Sequence, residues 1–589
     1  MNRRPVAAVL IVIAVASCRR EPVDFIRTNQ IGYAPNARKV AVVCSLEPTT
    51  ITDFTVRDVA GDVAYGPAPA EEAEAFAPCA AVHRLDFTDL RQPGVYRLHA
   101  AGTDSRPVAI SEDAYAGAAD TLLVYLRQQR SGFNPVFNDS VHHETDGIIV
   151  DHPTRTGEFV PVAGGWADAA DYLQYVTTSA HATFSLLIAY RDNPDVFGDA
   201  HQASGLPGAN GLPDVLDEAR HGLDWLSRMF PGDGTVFNQL GDDRDHVFAD
   251  LPVNDSSDYG WGRGGPRPVY PCTGEPQGLL EYKNRSTGIA STAGKFASSF
   301  ALGSQVLRER DPAFADTLKT KAVMAYEIGR ANPGVCQTAP ARAPYFYEED
   351  NWVDDMELAA IELYALTGTP RYLDEAIAYS AREPVTPWMG ADTANHYQWF
   401  PWHNYGHYEI WRHAPPAIRD TVVDYYRRGL AAVAGRALNG FRVGVPFIWC
   451  SNNLMASFAT QALLYRKMSG DDTYRQMESA AVDWLFGVNP WGVSMVIGLP
   501  ATGVYPRDPH SVVSHELGIQ LTGGLVDGPV YRSIFESLRG ITLFDEDEYA
   551  RFNTGRAVYH DDYGDYSTNE PIMDGTANLT YLLAAAAMN

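Results

Sequence analysis

Hydrophobic and polar positions follow two different periods along this chain, and the change falls near residue 111. Between Phe25 and Ile110 the apolar runs are short and alternate with period two, at 39–44, 54–59, 82–87, 95–98 and 107–110, with Gly, Pro and Asp turns between them. That spacing predicts a small β-sandwich over 25–110. Beyond Ser111 the period becomes 3.6 and predicts helices over 113–129, 168–190, 213–230, 287–307, 312–331, 354–367, 372–382, 417–438, 453–468, 474–486 and 571–588. In 213–230, Val215, Ala219, Gly222, Leu226 and Met229 form one face, Asp214, Asp217 and Glu218 lie off it, and Pro213 suits a first helical position. Other helices are rich in Ala, Ser and Gly, as in 288–299, which suits close packing in the inner ring of a double-layered helical barrel. No strand-like runs interrupt the series, so 111–589 reads as one large, mainly α unit.

Charge narrows the partners. The 589 residues carry a formal net charge of -27 without clustered Lys or Arg, which excludes a nucleic-acid partner and suits a neutral polymer. Arg3 and Arg4, the apolar run 6–15 and Val15-Ala16-Ser17-Cys18 read as a secretory signal over 1–17 with a lipobox, too short to span a bilayer. The expectation is a bacterial product exported to the outer membrane, anchored through a lipidated Cys18, with 18–24 as a linker and a monomer as the folded form. Cys44, Cys79, Cys272, Cys336 and Cys450 remain, an odd, scattered set that predicts no disulfide framework, although a Cys44–Cys79 bridge stays open.

The candidate chemistry starts at Gly164-Gly165-Trp166-Ala167-Asp168-Ala169-Ala170-Asp171-Tyr172, where the pattern predicts that a helix opens with two carboxylates on one face. By spacing alone, such a pair also serves as an N-cap and a dipole partner. Glu570, beside Pro571 at a predicted helix start, is the candidate acid to meet them across a cleft. Flat aromatic rings in polar loops are candidate sugar platforms, with Trp352 and Trp449 first and Trp402 after them.

The motif Gly-Gly-Trp-x-Asp-Ala-x-Asp-Tyr resembles the signature of glycoside hydrolase family 9, inverting cellulases built on an (α/α)6 barrel. Three later blocks agree in order: 208–226, with Gly-Leu-Pro-Asp-Val-Leu-Asp-Glu-Ala; the helix 286–297; and Tyr563-Gly564-Asp565-Tyr566-Ser567-Thr568-Asn569-Glu570. Phe25-Ile26-Arg27-Thr28-Asn29-Gln30-Ile31-Gly32-Tyr33, followed by Lys39-Val40-Ala41-Val42-Val43, resembles the immunoglobulin-like domain that precedes such barrels and buttresses them. The resemblance implies Asp171 as general base, Asp168 as the residue that orients the same water, and Glu570 as general acid. Inversion requires Glu570 to hold a proton and both aspartates to stay charged, the latter favoured by helix N-terminal amides. An aromatic lid from Tyr566 would help Glu570 to do so.

Two departures limit the carry-over. Where many members read Pro-His-His-Arg, this chain has Pro509-His510-Ser511-Val512; His510 keeps the expected sugar contact, and Arg507 is the candidate replacement cation. Where some relatives hold zinc with cysteines, this chain has Ser131 and Val141, with His142, His143 and Glu144 nearby, which argues against zinc. Loop carboxylates leave a structural calcium open, without EF-hand-like spacing to support it, and no cofactor is required. The expected reaction is inverting, endoglucanase-like cleavage of β-1,4-glucosidic bonds in cellulose, cello-oligosaccharides or related β-glucans. An exo-acting cellodextrinase or glucosaminidase of the same fold, and a non-catalytic glycan-binding surface lipoprotein, are the alternatives.

Overall fold

The computed structural model of the protein describes residues 21–137, 139–142, 146–245, 251 and 254–588, with backbone alone for 139–142. The signal region and Cys18 lie outside the described residues, as do His143, Glu144 and the side chains of Val141 and His142.

Nine strands form the sandwich: β1 (Asp24–Arg27), β2 (Val40–Ser45), β3 (Asp53–Arg57), β4 (Val63–Pro69), β5 (Glu71–Ala73), β6 (Ala81–Asp86), β7 (Gly94–Ala100), β8 (Thr103–Asp104) and β9 (Val108–Ile110). One sheet runs β1-β2-β6-β5; the other runs β4-β3-β7-β8, with β9 also on β7. Ala41 and Val43 of β2 face the sandwich core with Phe54, Val56, Leu85 and Leu98. Val42 and Cys44 point the other way, into the core of the barrel with Phe76, Cys79 and Val82. The alternation expected over 39–44 is corrected: 40–44 is apolar throughout, because β2 is buried on both faces.

The sandwich is sealed to the barrel by backbone and side chain together. Gln30 N donates to the Phe486 carbonyl at 2.9 Å, Asn29 Nδ2 to Asp483 at 2.9 Å, and Arg84 to the Gly440 carbonyl at 2.5 Å. Phe76 meets Phe441, Phe447 and Trp484 edge-on. This is a buttress, built of buried contacts on a sheet face.

Among the described residues, twelve helices have nine residues or more. Val176–Asp192, Ala290–Leu307, Val353–Thr367, Tyr405–His413, Ser451–Ser469 and Met573–Ala587 pack each on the next and the last on the first, a closed inner ring. Ala118–Gln128, Asp214–Met229, Pro312–Ala331, Pro370–Ser380, Pro416–Ala434 and Arg475–Leu485 lie outside it, completing the (α/α)6 barrel. Inner helices are buried nearly all round, so their small residues set how closely they approach. A Cβ on Gly294 would sit 2.8 Å from the Asp355 backbone of the neighbouring inner helix. The ring interior is polar: Asn578 Nδ2 donates to Asn453 at 3.0 Å and to Ser457 at 2.9 Å.

Four further sequence-based expectations are corrected. The helix predicted from Asp168 starts at Val176, because Gln174–Tyr175 first pairs as a strand with Phe237–Leu240. The helix predicted from Pro571 starts at Met573, because Pro571–Ile572 pairs with Leu525–Val526. Strands do interrupt the helical series: Ile148–Ile149, Pro268–Pro271, Phe237–Leu240 and Gln174–Tyr175 form a four-stranded sheet over the barrel mouth. Disulfides join Cys44 to Cys79 and Cys272 to Cys336, leaving Cys450 as a buried thiol. The even pairing was hidden by one cysteine with no partner. Tyr405–His413 is a helix that periodicity alone does not predict; the Asn404 side chain caps it by accepting from Gly406 N and His407 N.

Candidate active site

The glycines of Gly164-Gly165-Trp166 have a steric reason. Gly165 has φ +78°, and a Cβ there would lie 2.6 Å from the Trp225 ring. This lets the chain turn tightly while Trp166 is fully buried beside His221. The following loop is closed at its neck by Asp168 N donating to the Leu173 carbonyl at 2.9 Å. Gln129 Nε2 holds it from outside, donating to the Ala169 carbonyl at 2.6 Å. Asp168 and Asp171 therefore stand on a pinned loop, not on one face of a helix.

Their environments differ. Asp168 is 2% exposed, and its two carboxyl oxygens accept from the hydroxyls of Thr178 and Tyr347. Burial, with the nearby charges of Asp574 and Asp171, pushes its carboxyl well above the usual range against those two donors. The expectation that helix amides keep Asp168 charged is thus corrected. The two neutral hydroxyls of Thr178 and Tyr347 are the donors that oppose the shift. Asp171 is half-buried at the loop tip, where one oxygen accepts from Leu173 N at 3.0 Å.

Glu570 reaches this loop from 400 positions away: its Oε1 accepts from Ala170 N, between the two aspartates, at 3.0 Å. The backbone locks the meeting, since Met573 N donates to the Asp168 carbonyl at 2.9 Å and Asp527 N to the Glu570 carbonyl at 2.9 Å. Upstream, Asp565 accepts from His560, Ser567 and Thr568, forming a knot that fixes the approach to Asn569-Glu570. Burial works against the charge of Asp565, yet those bonds keep its pKa below the usual value.

Two further buried carboxyls complete the group. Asp527 accepts from Trp449 Nε1 at 2.8 Å and from the Cys450 thiol at 3.3 Å, and burial raises its pKa. Asp574 accepts from Tyr397 at 3.1 Å and from Asn453 at 2.8 Å, and burial lifts it to about 6. The donors named for Asp168, Asp527 and Asp574 are all neutral. Carboxyls gathered without a cation among those donors favour retention of a proton within the group.

The aromatic candidates separate. Trp449 lies with His396 at 4.7 Å and Tyr566 at 5.5 Å between ring centroids, and Tyr566 in turn feels the charge of Glu570. His510 joins them at 6.1 Å from the Tyr566 ring, with Nδ1 on the Tyr563 carbonyl. Trp402 does not: it is fully buried, its Nε1 donates to the Gln398 carbonyl, and it packs on Tyr397 and Phe400. Its polar surroundings in sequence mislead because neighbouring rings fold over it. Trp352 packs instead on Tyr379 and under the Arg382 guanidinium, in a different cluster. Arg507 lies 3.8 Å over the Tyr505 ring and donates to its hydroxyl at 2.7 Å, so its cation is not brought to the acids.

Tyr347, Thr178, Asp527 and Asp574 escape the sequence reading. Tyr347 is stacked at 3.8 Å on Tyr397, the partner of Asp574, which ties two of the carboxyls into one assembly. A buried acid within an otherwise apolar stretch, as in Gly524-Leu525-Val526-Asp527-Gly528, is the signal that would have flagged Asp527. Among the described residues, no group of three or more His, Cys, Asp or Glu is arranged to hold a metal.

The model of glycosyl hydrolase family 9 matches residues 115–583, and that of the cellulase N-terminal ig-like domain matches 22–105. Endoglucanase C of Cellulomonas fimi is 27% identical over 95% of this chain, and the chain spans about half of that protein, 52%. The xyloglucan-specific endo-beta-1,4-glucanase of Bacteroides ovatus is 25% identical over 86% of each. A crystal structure of a metagenome-derived glycoside hydrolase family 9 endoglucanase superposes with TM-score 0.75 at 27% identity, covering 96% of this chain and 99% of that one.

Proposed function

The chain belongs to glycosyl hydrolase family 9, whose model covers most of it, and from that premise we propose that it hydrolyses β-1,4-glucosidic bonds of a glucan with inversion. The observation that carries the reading is the Glu570 carboxyl seated on Ala170 N, between Asp168 and Asp171.

In the proposed reaction, Glu570 protonates the leaving glycosidic oxygen while Asp171 removes a proton from water on the opposite face of the sugar. The half-buried tip position of Asp171 gives it access to that water. Asp168, buried and fixed through both oxygens, suits orientation of the same water better than proton exchange with solvent. Trp449 and Tyr566 supply flat faces beside the acid for the sugar ring, and His510 borders them. The carboxyls perform the chemistry, and no organic cofactor enters it.

Turnover of carboxymethyl-cellulose, β-glucan and cello-oligosaccharides tests this. Glu570→Gln and Asp171→Asn should each lower kcat by about a hundredfold or more, given what positioned acid–base groups contribute. Undiminished turnover in both would sink the mechanism. Mid-chain cuts against release of single units from one end distinguishes endo from exo action.

We also propose lipid-anchored export, with 18–24 as the tether between membrane and sandwich. The order of basic, apolar and cysteine residues supports it, as do two disulfides of a kind that persists in oxidising compartments. Cys18→Ser should move the protein from the membrane fraction to the soluble one; unchanged partitioning counts against the anchor.

A further inference from the structure

The segment that departs from the family pattern builds an aromatic surface of its own. After His510 the chain forms a short helix, Val512–Leu517, which carries His515. The His515 ring stacks on Tyr563 at 4.0 Å with an interplanar angle of 10°, and Phe544 closes on the same tyrosine at 6.0 Å. Phe544 is 65% exposed although its backbone is fixed, its N–H donating to Asp562 at 2.8 Å. Phe544 thus presents its ring to solvent beside Tyr563.

This surface is continuous with the acids. Tyr563 lies 5.4 Å from His510, His510 6.1 Å from Tyr566, and Tyr566 5.5 Å from Trp449. Ring follows ring from the neighbourhood of Glu570 out to Phe544. Resting on the proposed glucanase reading, we infer that Phe544, Tyr563 and His515 form a distal sugar-binding subsite, where a β-glucan chain extends beyond the scissile bond. Pyranose C–H faces stack on such rings, and their hydroxyls remain in solvent. Asp545, Glu546, Asp547 and Glu548 directly follow Phe544, so the strip suits a neutral glucan and repels a polyanionic one.

The strip therefore reads chain length through rings. It acts on binding, not on the reacting atoms.

The test compares cellotriose with cellohexaose for the wild type and for Phe544→Ala, an exposed position whose truncation leaves the core untouched. If the subsite exists, KM for cellohexaose rises about two- to tenfold, the range expected of one aromatic contact, while kcat and the cellotriose constants hold. Tyr563→Ala should deepen the same length-dependent loss. Equal effects on both oligosaccharides, or none on either, would overturn the inference with the glucanase reading intact. Failure of the wild type to cleave either oligosaccharide would overturn both. A concentration-dependent dimer that Phe544→Ala abolishes would assign the patch to a second copy of the chain and likewise overturn it.

Discussion

Asp168 is held by hydroxyls from two directions, and the consequence is chemical. A carboxyl pushed up by burial needs every donor it has to carry charge at neutral pH. Tyr347→Phe removes one donor and nothing else, so protonation of Asp168 becomes easier. The acidic limb of the kcat profile should then move to higher pH, and kcat at neutral pH should fall about ten- to hundredfold, the loss expected for a hydrogen bond to a charged group. A reduced kcat with an unmoved profile would make Tyr347 a packing residue only. That Asp168, Asp171 and Glu570 come together was legible in the sequence because a motif fixes their order. Their supporting donors were not, since Tyr347 lies 179 positions from Asp168 and Tyr residues at large have no signature.

The elements that carry these residues are pinned more firmly than their length implies. Strand Pro268–Pro271 holds the loop of Asp168 and Asp171 through a sheet, and Arg267, just before it, pairs with Asp146 at 2.9 Å and donates to the Tyr172 carbonyl. The Cys272–Cys336 disulfide joins the far end of that strand to the loop whose continuation bears Tyr347. Opening this 64-residue separation should cost about 2–5 kcal/mol, with activity lost before the barrel unfolds. Cys272→Ser should lower Tm and, at temperatures below that transition, also lower kcat; an unchanged kcat would show that the loop is set without the bridge. Helices of ten or more residues were legible from periodicity, with most ends shifted by a few positions but the start of Val176–Asp192 later than the predicted Asp168. Strands of two residues, such as Gln174–Tyr175, were not. A period cannot be read from two positions, and the helix signal of 176–190 ran back over them.

At the scale of the whole molecule, the notable property is how many carboxyls are raised. Burial lifts Asp483 to about 7, at the seam where Asn29 joins sandwich to barrel, with Arg84 and Arg38 opposing it. Burial likewise lifts Glu362 and Glu383 to about 8 and Asp217, Asp561 and Asp574 to about 6. Between its unfolded and folded pKa, each such group binds more protons folded than unfolded, so stability falls as pH rises. Their contribution is full near pH 4 and lost as pH climbs through about 6–8. Groups of the opposite sign, such as Asp192 at about 2, weaken the fold only below about pH 4. Tm should therefore be several degrees higher at pH 5 than at pH 8, and Asp483→Asn should flatten part of that slope. A Tm that rises from pH 5 to pH 8 would contradict the sign.

The closed inner ring has a consequence in time as well as in space. Its last helix, Met573–Ala587, packs on Val176–Asp192, and only when it docks does Glu570 reach Ala170. Until then both aspartates are present without their acid, and the polar inner faces of the other helices have no partner across the gap. Contacts bridging 400 positions form late, since the intervening chain must be ordered before they repay its entropy. Completion of the fold and the meeting of Glu570 with the loop of Asp168 and Asp171 are then one event, and a chain ending before residue 560 would lack that meeting.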